Sequence, residues 1–471
     1  MRTLAAEAKP SLLFLHIVNY SKAIDYLYGL QKHGIKLGLS NITTIAELLG
    51  HPQKAYHSVH VAGTNGKGST SAMIAAIVRA NGFKTGLFTS PHLVRFTERI
   101  RIDGIEITED EVVTLTEEIQ EALSENKALQ PTFFEFVTVM AFLHFKRQGV
   151  QWVVFETGMG GRYDATNIIA PDLTIITSIS EDHKEFLGQT ITEIASEKAG
   201  IIKDTVEVIT TCRDEFALEV IKSAAVKCHS PLDVYGTDFS VSSVKLDVDG
   251  TTFDYAGGCI FSDLHIPLIG AHQAENASCA IRAWEILTWK GHLAVGEDAL
   301  QQALKGVQWP GRCELGKYKG LPVLLDGAHN PAAMQRLSTA LRDVFLNLAS
   351  KASFSRVVLI VGTMSDKDKE NIITPILSVA SKVIFTSANY TRAERPEILA
   401  DIARGLLPAM QEAFYLTHSL REALSLAESL YQQGDLIVVT GSFYTVGDAK
   451  EVMGQEVVSL KNLTESLGLG G

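Results

Sequence analysis

The chain runs to 471 residues, 46% of them hydrophobic and 20% charged, which leaves room for two or three folded domains and argues against disorder at scale. A formal net charge of −12 argues against a general binder of nucleic acid or anionic membrane, since either partner needs a concentrated basic surface; anionic substrates would have to be met by local positive groups. Five scattered cysteines, Cys212, Cys228, Cys259, Cys279 and Cys313, form no CxxC pair and fit a reducing cytosol better than a disulfide scaffold or a zinc site.

Near the N-terminus the apolar run Leu12 to Val18 is interrupted by His16 and preceded by Glu7 and Lys9, which makes a poor signal peptide. No apolar stretch approaches the roughly 20 residues of a membrane-spanning helix, so a cytoplasmic protein is expected. Residues 20 to 50 carry helical periodicity broken at Gly34 and Gly38. Then Ser58-Val-His-Val-Ala-Gly-Thr-Asn-Gly-Lys-Gly-Ser-Thr70 reads as a buried strand, a glycine-rich turn and a helix start, the architecture of a nucleotide-phosphate cradle. Gly63, Gly66 and Gly68 let the backbone approach a phosphate, Lys67 supplies a point charge, and Ser69 or Thr70 offers a hydroxyl beside Mg2+. The strict pattern wants a glycine where this chain has Val61 and a Ser or Thr where it has Gly68. The flanking strand and helix still favour nucleotide binding over an ordinary strand-to-helix turn.

Beyond the loop the pattern predicts a strand at Lys84 to Phe88, helices at 110 to 124 and Phe133 to Arg147, and a continuous apolar strand at Gln151 to Phe155. Strands at Leu173 to Ile179 and Val206 to Thr211 follow, separated by a helix at 190 to 199. Continuous hydrophobic strands joined by helices predict an α/β fold with a mostly parallel sheet covered on both faces. Residues 233 to 268 alternate, with turns at Asp247-Val-Asp-Gly250 and Ala256-Gly-Gly258, which predicts a small antiparallel flank. Helices at 273 to 289 and 297 to 306 close this first domain, taken as 1–308, and Trp309-Pro-Gly-Arg312 marks a linker over 309–314. The alternation restarts in a smaller α/β domain, 315–471, with strands at 321 to 326, 356 to 361, 382 to 386 and 435 to 440 and a frayed tail after 457.

Several polar residues fall at strand tips, where open parallel sheets bind ligands. Glu156 ends one apolar strand; it reads either as a solvated charge or, beside a phosphate loop, as an Mg2+ ligand. Asp182-His183 follows the next strand on the same edge, and a lone His is as readily a structural hydrogen-bonding residue as a ligand. Lys198 lies on a helix that could return to the crevice or simply face solvent. In Leu325-Asp-Gly-Ala-His-Asn-Pro331, Asp326 could accept ribose hydroxyls and His329 could contact phosphate, or Asp326 and Asn330 could merely shape the turn and cap the helix. Arg312 is either a surface residue or a bidentate phosphate donor.

Taken in order, Gly63-Thr-Asn-Gly-Lys-Gly-Ser69, Thr89-Ser-Pro-His-Leu93, Glu98-Arg-Ile100, Thr132-Phe-Phe-Glu135, Glu156-Thr-Gly-Met-Gly-Gly161, Asp164-Ala-Thr-Asn167, Asp182-His183, Glu197-Lys-Ala-Gly200, Gly270-Ala-His-Gln273 with Asn276, Asp326-Gly-Ala-His-Asn-Pro331 and Gly441-Ser-Phe-Tyr-Thr-Val-Gly447 strongly resemble the bacterial folylpolyglutamate synthase/dihydrofolate synthase family. The resemblance covers nearly the whole chain, and the family shares the modified phosphate loop. It implies an ATP-dependent amide ligase of the Mur ligase superfamily, with an N-terminal P-loop domain and a C-terminal Rossmann-like domain, that adds L-glutamate to dihydropteroate or reduced folates through an acyl phosphate.

By motif position, the resemblance implies that Ser90, Glu156 and His183 ligate magnesium, two ions in all, and that Thr64, Asn65, Gly66, Lys67, Gly68 and Ser69 hold the phosphates. Asn276, Arg312 and Asp326 would contact ATP from either side of the domain junction. Lys198 would be the family's carbamylated lysine, CO2 turning a cation that Mg2+ repels into an anion it attracts. Phe134, Asp164, Ala165 and Thr166 match positions around the pterin, while Arg99, His329 and Ser442 are candidates for glutamate or the acyl phosphate. The implied state is a monomer.

Two other readings compete. A GTP-binding switch would need an Asn-Lys-x-Asp guanine motif, which is missing, and has no use for a second ligand-bearing domain. A Mur ligase acting on a UDP-sugar carboxylate would carry a substrate domain ahead of the loop; the 62 residues before Gly63 are expected to be too few.

Overall fold

The computed structural model describes residues 12–34, 38–124, 126, 129–294, 296–347 and 353–454. The expected tail after 457 lies outside them. Eight strands build the first sheet: β1 (His57–Ala62), β2 (Thr85–Phe88), β3 (Ile100–Ile102), β4 (Ile105–Glu106), β5 (Trp152–Glu156), β6 (Leu173–Ile176), β7 (Val208–Thr210) and β8 (Leu232–Val234). They lie in the order β4-β3-β2-β5-β1-β6-β7-β8, parallel except at the β2-β3-β4 edge. Alternate residues of the buried strands feed opposite faces, so Val59, Val61, Trp152 and Val154 join one core while Val153 and Phe155 join another. Lys67–Ala80, Ala271–Trp289 and Glu297–Lys305 cover the first face; Glu109–Ser124 and Phe133–Arg147 cover the second. Burial on both faces explains why these strands read as unbroken hydrophobic runs.

The expected antiparallel flank is a three-stranded sheet, β9 (Ser240–Asp247), β10 (Gly250–Ala256) and β11 (Ile260–Ile266), in the order β11-β10-β9. Its inner residues Phe253, Tyr255 and Leu264 complete the core against Ala271–Trp289. A second large sheet holds β12 (Glu314–Tyr318), β13 (Leu321–Leu325), β14 (Arg356–Val361), β15 (Lys382–Phe385), β16 (Phe414–Leu416) and β17 (Asp435–Thr440). Its order is β12-β13-β17-β14-β15-β16, parallel but for the β12 hairpin edge.

The first sheet places the loop that follows β1 between the tips of β5 and β6, with Val61 beside Glu156 and Ala62 beside Ile176. Such a crevice, flanked by strands on either side, is where open α/β sheets bind ligands. In the second sheet, the segments following β13, β14, β15 and β17 carry Asp326, Met364, Tyr390 and Ser442 to the same cavity. The two sheets therefore face each other tip to tip.

Candidate active site

Between the sheets lies a cavity of about 750 Å3, a size that suits small organic ligands. Its floor is the glycine loop. Gly63 and Gly66 adopt φ of 147° and 91°, and a Cβ at Gly66 would collide with the Asn276 Oδ1. Gly66 therefore answers both a left-handed backbone and a close approach. The helix Lys67–Ala80 opens with no side-chain cap and no acidic residue in its first turn, so its leading N–H groups and positive dipole end are left for an anion. Thr64 braces the loop, accepting from the Ser180 amide (3.1 Å) and donating to the Ser180 carbonyl (3.0 Å).

Two lysine amino groups converge on one loop carbonyl. Lys198 Nζ donates to Gly63 O at 2.8 Å and Lys67 Nζ approaches the same oxygen at 3.2 Å. Lys198 is 4% exposed, and burial, followed by the repulsion of Lys67, brings its amine down to about 7. Glu156 is also buried, and its Oε2 accepts the Ser90 amide at 3.2 Å. It makes no ion pair within 4 Å among the described residues, and burial raises its carboxyl above the usual range, chiefly against the attraction of Lys67.

A clasp joins the two sheets. Asp182 accepts from Lys367 Nζ (2.5 Å) and Asn330 Nδ2 (3.3 Å), and His329 Nε2 lies 3.7 Å away. Against the push of burial, the approach of His329 and the attraction of His183 and Lys367 hold the Asp182 carboxyl far below its ordinary range. Asn330 also pairs its amide with that of Asn65 in the phosphate loop, Nδ2 donating to Asn65 Oδ1 at 3.0 Å.

Of the residues singled out in the sequence, Thr64 to Ser69, Ser90, Arg99, Phe134, Glu156, Asp164, Ala165, His183, Lys198, Asn276, Arg312, Asp326, His329 and Ser442 all line this cavity. Thr166 does not. It is fully buried behind Asp164, donating to Asp164 Oδ1 (2.6 Å) and accepting from His60 Nε2 (2.8 Å). Asp164 also accepts the Met159 amide, so its carboxylate is held in place by the strand tip. Arg312 Nη1 donates to the Gly311 carbonyl (3.0 Å), and its guanidinium lies 4.5 Å from the Phe443 ring centroid, attracted by Asp326 and Glu156. It faces the cavity and not the outer surface.

The turn-shaping alternative describes what Asp326 and Asn330 do here. Asp326 accepts the Cys313 and Ala328 amides, and Asn330 caps the helix Pro331–Ala340 through the Ala333 amide, while both residues also sit at the site. Ser442 similarly caps Phe443–Val452. His329 Nδ1 carries its hydrogen, since its partner is the Gly327 carbonyl at 2.9 Å. Arg99 donates to His92 Nδ1 (2.7 Å) and lies over Phe133. Asp182 and Lys367 gained no role from the sequence; the signal lay in two strand-end segments, Glu181-Asp-His183 and Ser365-Asp-Lys-Asp368, whose meeting only the fold reveals.

The sequence and the fold of this chain are both similar to those of known proteins. Residues 61–284 match the Mur ligase middle domain and 311–443 match the Mur ligase glutamate ligase domain. A Bacillus subtilis protein described as dihydrofolate synthase/folylpolyglutamate synthase is 35% identical over 437 residues, 92% of this chain and 98% of its own length. A Mycobacterium tuberculosis folylpolyglutamate synthase complexed with ADP superposes with a TM-score of 0.86 at 31% identity, covering 94% of this chain and all of its own. An Escherichia coli FolC structure in complex with DHPP and ADP gives 0.81 at 29%, covering 93% and 98%. The chain belongs to the dihydrofolate synthase/folylpolyglutamate synthase family of Mur ligases.

Proposed function

We propose that the chain joins L-glutamate to dihydropteroate, to reduced folates or to both, using ATP and passing through an acyl phosphate. The observation that carries this reading is that the Gly63–Ser69 and Asp326–Asn330 turns face one cavity from opposite sheets. The names of the relatives, with ADP in the Mycobacterium tuberculosis complex and DHPP with ADP in the Escherichia coli one, support it. We also read residues 1–308 and 315–471 as two domains joined by 309–314, working as a cytoplasmic monomer. The five free cysteines and a cavity completed within one chain support that; no helix among the described residues is long and apolar enough to cross a membrane.

In this scheme a substrate carboxylate oxygen attacks the γ-phosphorus of ATP, the bond to the bridging oxygen breaks, and ADP leaves. The glutamate amine then attacks the acyl carbon, the tetrahedral adduct expels phosphate, and the nitrogen gives up a proton. The chain's task is to hold two anions together and keep water from the acyl phosphate. The uncapped helix at Lys67 receives phosphate oxygens, with Lys67 and Arg312 balancing their charge. Asn276 and Asp326 contact the nucleotide from either side, Asp326 at the ribose. Phe134, Asp164 and Ala165 bound the pterin end, Thr166 steadies Asp164 from behind, and Arg99, His329 and Ser442 serve the glutamate or acyl-phosphate side.

Glu156 fits a hard cation: a buried carboxylate with one amide donor and no ion pair among the described residues is completed by one. Ser90, Glu156 and His183 would hold magnesium, two ions in our reading, which when bound draws charge from the phosphate oxygens. Lys198 fits carbamylation, because an amine brought to about 7 is substantially neutral at physiological pH and its lone pair can take up CO2 with loss of a proton. The test supplies dihydropteroate and tetrahydrofolate separately and measures glutamate-dependent phosphate release. Release with neither acceptor refutes the reading, and release with one or both assigns the activity.

A further inference from the structure

At the opposite end of β1 from the phosphate loop, three potential metal ligands come together from distant parts of the chain. His57 opens β1, Asp172 immediately precedes β6, and His292 follows the helix Ala271–Trp289. One ligand atom from each lies within 4.8 Å of the others. His57 Nδ1 is 3.0 Å from Asp172 Oδ1, and His292 Nε2 approaches that same oxygen at 3.9 Å, beyond hydrogen-bond reach. A single His–Asp hydrogen bond accounts for the first ring, while the second is held beside the same carboxylate by ring packing against Trp152 and His57. One carboxylate oxygen facing two imidazoles is the donor set of a late divalent transition metal.

The arrangement is prepared by its neighbours. Asp172 Oδ2 accepts the Ser58 amide at 3.0 Å, which turns Oδ1 toward the rings. The His57 ring stacks on Trp152 at 4.8 Å and 22°, and His292 meets the same indole edge-on at 5.5 Å and 79°. The nearby ammonium of Lys290 donates to the Asp172 carbonyl and is balanced by an ion pair with Glu207. Ligand atoms in a tetrahedral site with bonds of about 2.0–2.1 Å stand about 3.3 Å apart, a value bracketed by the 3.0 and 3.9 Å that separate the Asp172 oxygen from the two rings, and the third separation has to close from no more than 4.8 Å. His57 is 54% exposed, which leaves room for water in the remaining positions.

We infer that His57, Asp172 and His292 form a second metal site, taking Zn2+ or a similar ion in preference to Mg2+, remote from the ligase cavity. Along β1 the two are separated by about five residues, or about 17 Å. Imidazole nitrogen sets the preference, because Mg2+ favours oxygen and Zn2+ accepts nitrogen readily. A metal here would pin the end of Ala271–Trp289 to the base of the sheet, while Gln273 and Asn276 at the helix's other end face the cavity.

The test titrates the full chain with Zn2+ against a chromophoric chelator, and separately with Co2+ followed by its visible absorption, both in millimolar Mg2+. One ion per chain is expected. His292→Gln and Asp172→Asn should weaken it by roughly 100-fold, the upper end of what outer-sphere partners alone contribute, with ligase turnover unchanged as the control for folding. No Co2+ band and no Zn2+ uptake by the parent chain overturns the site. Equal binding by parent and both variants overturns it as well, since the ion then lies elsewhere.

Discussion

Replacing Lys198 by Met separates what the fold asks of this side chain from what the reaction asks of it. Burial first, and Lys67 second, bring the amine from its ordinary 10.5 down to about 7. That displacement sets about 5 kcal/mol against the ammonium form in the native chain. In the unfolded chain the amine regains its ordinary affinity for protons. Below about pH 7 both states are protonated and the native state carries the whole penalty; between 7 and 10.5 the penalty drains away by about 1.4 kcal/mol per pH unit. Methionine removes the charge, fills similar space and forfeits the bond to Gly63 O, a loss of about 1–3 kcal/mol.

The variant should therefore melt a few degrees higher than the parent at pH 6, with the difference shrinking or reversing by pH 9, in CO2-free buffer. Nucleotide affinity should change less than about threefold, because Lys67 and the helix N-terminus remain. Ligation should fall by about 100-fold or more, as removal of one preorganised charge does elsewhere. Thermal unfolding at the two pH values, nucleotide titration and phosphate release read all three quantities. Unchanged turnover sinks the role given to Lys198, and a stabilisation that grows with pH refutes the electrostatic reasoning.

Glu156→Gln keeps the shape and the acceptor for the Ser90 amide and removes a buried charge, so thermal stability should hold or rise while phosphate release collapses at any Mg2+ concentration; Mg2+-saturable activity at the parental level would contradict the ligand role. Gly66→Ala places a Cβ against Asn276 Oδ1 on a backbone at φ 91°, which should weaken nucleotide binding by about tenfold or more in a direct titration. Asp182→Asn loosens the clasp on Lys367, with a loss of up to about 3 kcal/mol seen as a lower Tm and a raised KM. Because the Asp182 carboxyl is held far down, its contribution is whole above the ordinary carboxylate range near 4 and drains only in stronger acid, so the gap between variant and parent should stay constant from pH 6 to 8.

How much of this was readable in the chain depends on how local each signal is. Phe133–Arg147 begins with Thr132 and Glu135 exchanging cap bonds, all within four residues, and its bounds are those the sequence predicts. The phosphate loop and Glu156 were readable because a buried strand and the group at its tip are contiguous. The helix Glu215–Lys227 went unpredicted although Asp214 caps it and Ala217, Ile221 and Ala225 mark its buried face. The edge strands β12 and β16 lie outside the predicted set for different reasons: Glu-Leu-Gly-Lys-Tyr lacks the unbroken apolar run that betrays a central strand, and Phe-Tyr-Leu is apolar but only three residues long.

Long-range partnership was the harder limit. In its local pattern Lys198 is an ordinary helical lysine, and its partner, the Gly63 carbonyl, lies 135 positions earlier. Asp182 and Lys367 stand 185 positions apart, and each belongs to a turn whose local pattern is satisfied without the other. The same holds for Thr166, whose motif neighbours Asp164 and Ala165 reach the cavity while it turns inward to His60. A strand tip marks which residues can meet a ligand; only the facing of two sheets decides which of them meet one another, and catalysis by this chain depends on that second relation.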